Sequence, residues 1–208
     1  MAEWKPIPDG TVFINALMHQ ALQAVGEVMG EQGLNVVLRE AGLERYVGNP
    51  PPNDLETGSL SIEYGRLNAA IANFYGRAGK GMLRRIGRAS FQWGVREQAA
   101  LLGVAGVALK FMPQRTRMKF IFTNVAKALM KLDSRVNIVV EEKDNQLLYS
   151  NYSCSVCHGR ESEVPICHLY IGSLEEALKW ATGNDFAVEE VKCRAKHDPC
   201  CQFAVVLP

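Results

Sequence analysis

All six cysteines of this chain fall between Cys154 and Cys201, and four ligand-type residues in that stretch, Cys167, Glu190, Cys193 and Cys201, stand at a spacing that reads as a metal site. Thiols gathered in this way in a reducing compartment bind metal or do redox work more often than they form disulfides. The demand on the fold is severe. Cys167 stands near a proline-marked helix start, while Glu190, Cys193 and Cys201 belong to the two limbs of a hairpin closed by Lys196-His197-Asp198-Pro199. For one ion to be shared, all three places must meet. Residues three apart on a regular strand face opposite sides, so the strand must bend or bulge between Glu190 and Cys193. The alternative is that these cysteines are small buried residues and nothing more.

Three thiolates and one carboxylate carry four negative charges, and a divalent cation cancels two. Arg160, Lys192, Arg194 and Lys196 are placed to offset the remainder. Upstream, Cys154 and Cys157 form a CxxC followed by His158. Three readings stay open for it: a haem-attachment pattern, a redox dithiol, or an auxiliary metal or redox site that includes Cys200 and extends to iron–sulfur ligation.

The rest of the chain changes period once. Apolar residues recur at helical spacing from Thr11 to Gly30, with a second short helix from Asn35 to Ala41 stopped by Gly42. Further helices fit Ser61 to Gly76, Met82 to Leu102 and Thr116 to Leu132. From Val136 the pattern turns β-branched. Val136 to Glu142 and Gln146 to Ser153 read as a hairpin, Pro165 to Thr182 as a helix, and Phe186 to Arg194 and Gln202 to Leu207 as two more strands. The order predicts an α+β fold, with an antiparallel sheet of at least four strands packed with several helices. The loop Gly48 to Asp54 divides an N-terminal helical segment, residues 1–50, from a main body, residues 51–208.

A chain of 208 residues with a formal charge of +1 needs no staple to fold and carries no overall field that argues for nucleic acid or a membrane surface. No basic-then-apolar leader is read, and no apolar run is long enough to span a bilayer, so the expected compartment is the cytoplasm. Phe91, Trp93, Leu101, Val104, Phe111, Phe120 and Phe122 are candidates to line an apolar ligand cavity, with core packing as the bland alternative. Arg77, Lys80, Arg84, Arg85 and Arg88 form a basic helix face that reads first as solvated. Gly76 to Gly81 lacks the residues of a phosphate loop. No paired acid and base, activated nucleophile or cofactor fingerprint is visible, so no catalytic residue is assigned and the reading leans away from an enzyme.

The text from Cys154 onward (CSVCHGR, PICH, FAVEEVKCRA and CQF) resembles the 4-vinyl-reductase-type domain, also called a hydrocarbon-binding domain, over about residues 145–208. Members include a protein associated with the vinyl reductase of bacteriochlorophyll biosynthesis and the zinc-containing sensor regions of phenol-responsive activators. Carried over position by position, the sensors' zinc ligands fall on Cys167, Glu190, Cys193 and Cys201. The resemblance implies the fold shared by nitric-oxide-signalling and Golgi-transport ligand-binding domains, a small apolar ligand (a hydrocarbon or tetrapyrrole-like compound), a structural Zn²⁺ with iron or an iron–sulfur cluster as alternative, and a homodimer. The function so implied is a binding protein in a sensory or accessory role. A tetrapyrrole vinyl reductase or its subunit, and a dimeric scaffolding or tethering module, are the alternatives. His197 stands where the family often has glycine, so its backbone must tolerate the turn.

Overall fold

Near residue 136 helical spacing gives way to alternation, and the molecule changes from a helical layer to a sheet at that point. The structure is a computed structural model that describes residues 4–98 and 111–208. In chain order its elements are β1 Val12–Ile14, α1 Asn15–Glu40, β2 Thr57–Leu60, α2 Ser61–Tyr75, α3 Gly79–Gln98, α4 Gln114–Leu132, β3 Ile138–Lys143, β4 Gln146–Asn151, α5 His168–Thr182, β5 Glu189–Lys192 and β6 Cys201–Val206. The expected α+β architecture is present. Strands β3 to β6 form one antiparallel sheet in the order β3-β4-β6-β5.

Two features at the N-terminal end depart from the periodicity. Val12–Ile14 is a short strand paired with β2, not the first turn of a helix. Three β-branched or aromatic residues are too few to set up an alternation that can be read. The break expected at Gly30 is a kink inside one long helix: Gly30 takes φ 75° and ψ 165°, and α1 resumes and runs to Glu40. The side chains of residues 13 to 46 join the same buried cluster as those of α2 to α5 and the sheet, so the segment 1–50 shares its core with the rest.

Helices α4 and α5 lie on the sheet through aromatic contacts. Phe122 meets Tyr149 edge-on at 5.4 Å, and Tyr170 stacks on Phe203 at 5.0 Å. Helix α3 then packs on α5 at backbone distance. A methyl group at Gly87 would fall on the carbonyl oxygen of Leu169, and one at Gly172 on that of Arg84. Two glycines facing opposite ways across one crossing let the helices approach this far. The pair is also tied electrostatically. Glu175 of α5, buried to 2%, receives Arg84 and Arg88 of α3. That gives two arginines of the basic face an internal partner.

Candidate metal centre and adjoining cavity

Four stretches of chain converge at the end of the sheet. Strand β4 ends at Asn151, and the chain then folds through the Cys154–Gly159 loop. This loop is held by bonds from His158 N to Ser155 O (3.3 Å) and from Arg160 N to Cys157 O (3.1 Å). Gly65 of α2 packs so closely on the carbonyl of His158 that no side chain fits there. Cys167 precedes α5. Glu190 lies on β5, Cys193 just beyond it, and Cys201 opens β6.

The irregularity required between Glu190 and Cys193 is present, because the β5–β6 register shifts between Glu190 and Lys192. The tip beyond it is a tight knuckle. Lys196 N and Asp198 N donate to Cys193 O at 2.9 and 3.3 Å, Cys193 N donates to Asp198 Oδ2 at 2.9 Å, and Arg194 N donates to Cys201 Sγ at 3.3 Å. His197 accommodates the turn in the left-handed region, with φ 62°. Asp198, which fixes the knuckle, was not singled out from the sequence; an acidic residue five positions after a ligand cysteine was the available signal.

Donor atoms of Cys167, Glu190, Cys193 and Cys201 all lie within 4.8 Å of one another, and so do those of Cys154, Cys157, Cys167 and Cys201. The Sγ–Sγ distances are 3.7 Å for Cys154–Cys167, 3.4 Å for Cys157–Cys201, 3.6 Å for Cys167–Cys201 and 3.9 Å for Cys167–Cys193. Cys200 is buried beside Ser150 and belongs to neither group. Adjacent residues at the start of a strand point to opposite faces, which separates it from Cys201.

The electrostatics call for a positive charge. Burial raises Glu190 to about 8, with the Cys193 thiolate adding to the effect and the Cys167 amide opposing it. That amide donates to Glu190 Oε2 at 2.8 Å, while Oε1 is buried without a hydrogen-bond partner. Bonds from Cys157, Cys167 and Cys201 pull Cys154 well below the usual thiol range, while burial holds Cys167 and Cys201 well above it. The group cannot ionise fully unless a cation shares the space. Arg160 lies beside it, its own ionisation disfavoured by burial and supported by the charges of Cys167, Cys157, Cys193 and Glu190.

The cysteine loop also borders a cavity of about 170 Å³ between the helices. Its lining includes Phe13, Leu17, Tyr64, Phe91, Val125, Leu129, Leu169, Tyr170 and Leu174, together with Ser155 and Val156 from between Cys154 and Cys157. Of the candidates for an apolar lining, Phe91 is there. Trp93, two positions on and therefore on another face of α3, bonds Glu27 at 2.9 Å. Phe122 is fully buried against Tyr149, Phe120 is partly buried, and Phe111 is 88% exposed. Leu101 and Val104 lie outside the described residues. Gln20, also on the wall, has its Nε2 buried without a partner. A lone amide on the apolar side of α1 was the sequence signal for it. His19 instead bonds the Pro51 carbonyl at 2.8 Å.

A sheet flanked by helices with a cavity between defines a fold class already seen in solved structures. The H-NOX protein from S. oneidensis in the Fe(II)NO state superimposes with a TM-score of 0.61 at 13% identity, covering 94% of this chain and 99% of that one. The Fe(II) unliganded H-NOX protein from K. algicida gives 0.60 at 13%, covering 93% and 96%. An oxygen-binding H-NOX domain related to soluble guanylate cyclases gives 0.59 at 13%, covering 93% of each. At these identities the likeness is one of fold. Within that class, residues 148–207 match the family model of the 4-vinyl-reductase domain, so the chain carries this domain at its C-terminal end. An uncharacterized protein of Methanocaldococcus jannaschii, MJ0745, is 30% identical over 76 residues, which is 36% of this chain and 37% of that protein. This chain thus matches little more than a third of that relative's length.

Proposed function

We propose that this protein binds a small apolar compound bearing one hydrogen-bond acceptor, and that a structural Zn²⁺ held by Cys167, Glu190, Cys193 and Cys201 fixes the wall of the binding cavity. The observation that carries the reading is the unpartnered Gln20 amide on an otherwise largely apolar wall. A buried donor without a partner costs about 1–3 kcal/mol, which a ligand oxygen would recover. The volume sets the scale: an engineered apolar cavity of about 150 Å³ binds benzene, so about 170 Å³ suits a single ring or a branched chain and not a tetrapyrrole macrocycle.

Haem, suggested by the H-NOX likeness, fits poorly. Among the described residues the lining contains no histidine or cysteine, and the Tyr170 hydroxyl is engaged with Tyr149 at 3.0 Å. Zinc is favoured at the cysteine centre because four thiolate and carboxylate donors suit a closed tetrahedral site. Sulfurs this close together leave no room for the inorganic sulfides of an iron–sulfur cluster. Among the described residues no helix is long and apolar enough to cross a membrane. The reading takes the protein to be a cytoplasmic homodimer, carried over from the family resemblance, with subunit number measurable by native mass spectrometry.

Calorimetry with two probes of similar shape tests the cavity. Anisole, with its ether oxygen, is expected to bind about fivefold more tightly than ethylbenzene, the value of one modest hydrogen bond. Gln20→Leu is expected to erase the difference. Failure of both probes to bind would remove the reading, and haem uptake with a Soret band would replace it.

A further inference from the structure

We infer that the cysteine centre holds two divalent ions, bridged by the sulfurs of Cys167 and Cys201. The inference rests on the reading that Cys167, Glu190, Cys193 and Cys201 hold one ion, and it adds a second held by Cys154, Cys157 and the same two bridging thiolates. The geometry is that of two tetrahedra sharing an edge. Each of the two overlapping groups has four donors within 4.8 Å of one another, and their common members are Cys167 and Cys201. A tetrahedral zinc with Zn–S bonds of about 2.3 Å has ligand edges of about 3.8 Å. The shared edge here is 3.6 Å, with flanking edges of 3.7 and 3.4 Å on the Cys154/Cys157 side and 3.9 Å on the Cys193 side.

One ion cannot satisfy this set. Placed on the Glu190 side, it leaves Cys154 and Cys157 buried against metal-bound sulfurs; placed on the other, it leaves Cys193 and the partnerless Glu190 Oε1. Two ions engage all six donors. Five thiolates and one carboxylate carry six negative charges and two divalent cations cancel four. The guanidinium of Arg160, whose buried Nη1 has no partner, stands beside the remainder. Cys154 and Cys157 also border a cleft of about 320 Å³ beneath Trp4 and Ile7, which gives the second ion a way in.

Zinc per chain, measured by elemental mass spectrometry on protein purified without an affinity tag from zinc-supplemented cells, is expected to be two. In Cys154→Ser/Cys157→Ser it is expected to fall to one, with the far-ultraviolet circular dichroism unchanged. One zinc in the unaltered protein would overturn the two-ion centre and leave the single-site reading standing; none would sink both. Cobalt titration of the unaltered protein provides a readout independent of any variant. The second equivalent of Co²⁺ is expected to lower the magnetic moment per cobalt, through exchange across bridging sulfur. Two equivalents whose moments simply add would refute the bridge.

Discussion

Glu190 sits where burial and neighbouring thiolates both oppose its charge, yet one of its oxygens points at nothing but the sulfurs around it. Replacing it with glutamine keeps the volume and removes the charge. Glu190→Gln is therefore expected to bind zinc at least tenfold more weakly in competition with a chromophoric chelator, with the fold retained. Cys193→Ser is expected to lose the ion it shares with Glu190 and to lower the melting temperature, because the knuckle then hangs on backbone bonds alone. Asp133 gives a pH signature remote from the metal. It is 6% exposed; burial acts to raise its pKa, but the bonds from Arg135, at 2.8–3.0 Å, outweigh that and hold it below the ordinary value. Its contribution is complete above the unfolded value of about 3.9 and is lost as pH falls through the lower folded value. Asp133→Asn is expected to flatten the acid limb of the stability profile only below about pH 4. Much at this scale could be read directly, since the ligand types and their spacing stand in the text. Gln20 and Asp198 could not be singled out, because whether a polar side chain has a partner is decided by neighbours distant in sequence.

Between elements, the contact that most limits change is the crossing of α3 and α5. Gly87→Ala or Gly172→Ala would push a methyl into the facing backbone, and overpacking of this kind costs about 1–3 kcal/mol. Gly81, on α3 with open space around it, is the control: Gly81→Ala is expected to stabilise by about 0.5–1 kcal/mol. Urea unfolding of the three variants, read for opposite signs, checks the assignment. The helices and the strands of the main sheet were legible because their periodicities run over several residues. Even the shift after Glu190 was forced by two ligands three apart. The β1–β2 ladder was not, since a pair of strands three and four residues long is specified by pairing rather than pattern. The α3–α5 crossing was equally hidden. Glycine marks a possible close approach, but which backbone approaches is a property of the assembled fold.

Across the whole molecule, cavity and cysteine centre are neighbours through one short loop: Ser155 and Val156 face the cavity, and the residues on either side of them carry the thiols. Coupling between two binding events is reciprocal in free energy. Zinc removal with a chelator is thus expected to weaken anisole binding, and saturating anisole to slow zinc release by a comparable factor. Equal anisole affinity with and without metal would show the two sites to be independent. The N-terminal arm fastens this region from outside. Trp4 donates to the Arg194 carbonyl at 3.2 Å, and His158 Nε2 meets the Ile7 carbonyl at 2.9 Å. These partners lie 190 and 151 positions away, so a nascent chain emerging from the ribosome carries an arm with nothing to hold until nearly the whole polypeptide has been made. Assembly of the cysteine centre is then a late, post-translational event, and the cell must keep its reduced thiols unoxidised until the final ribbon has arrived.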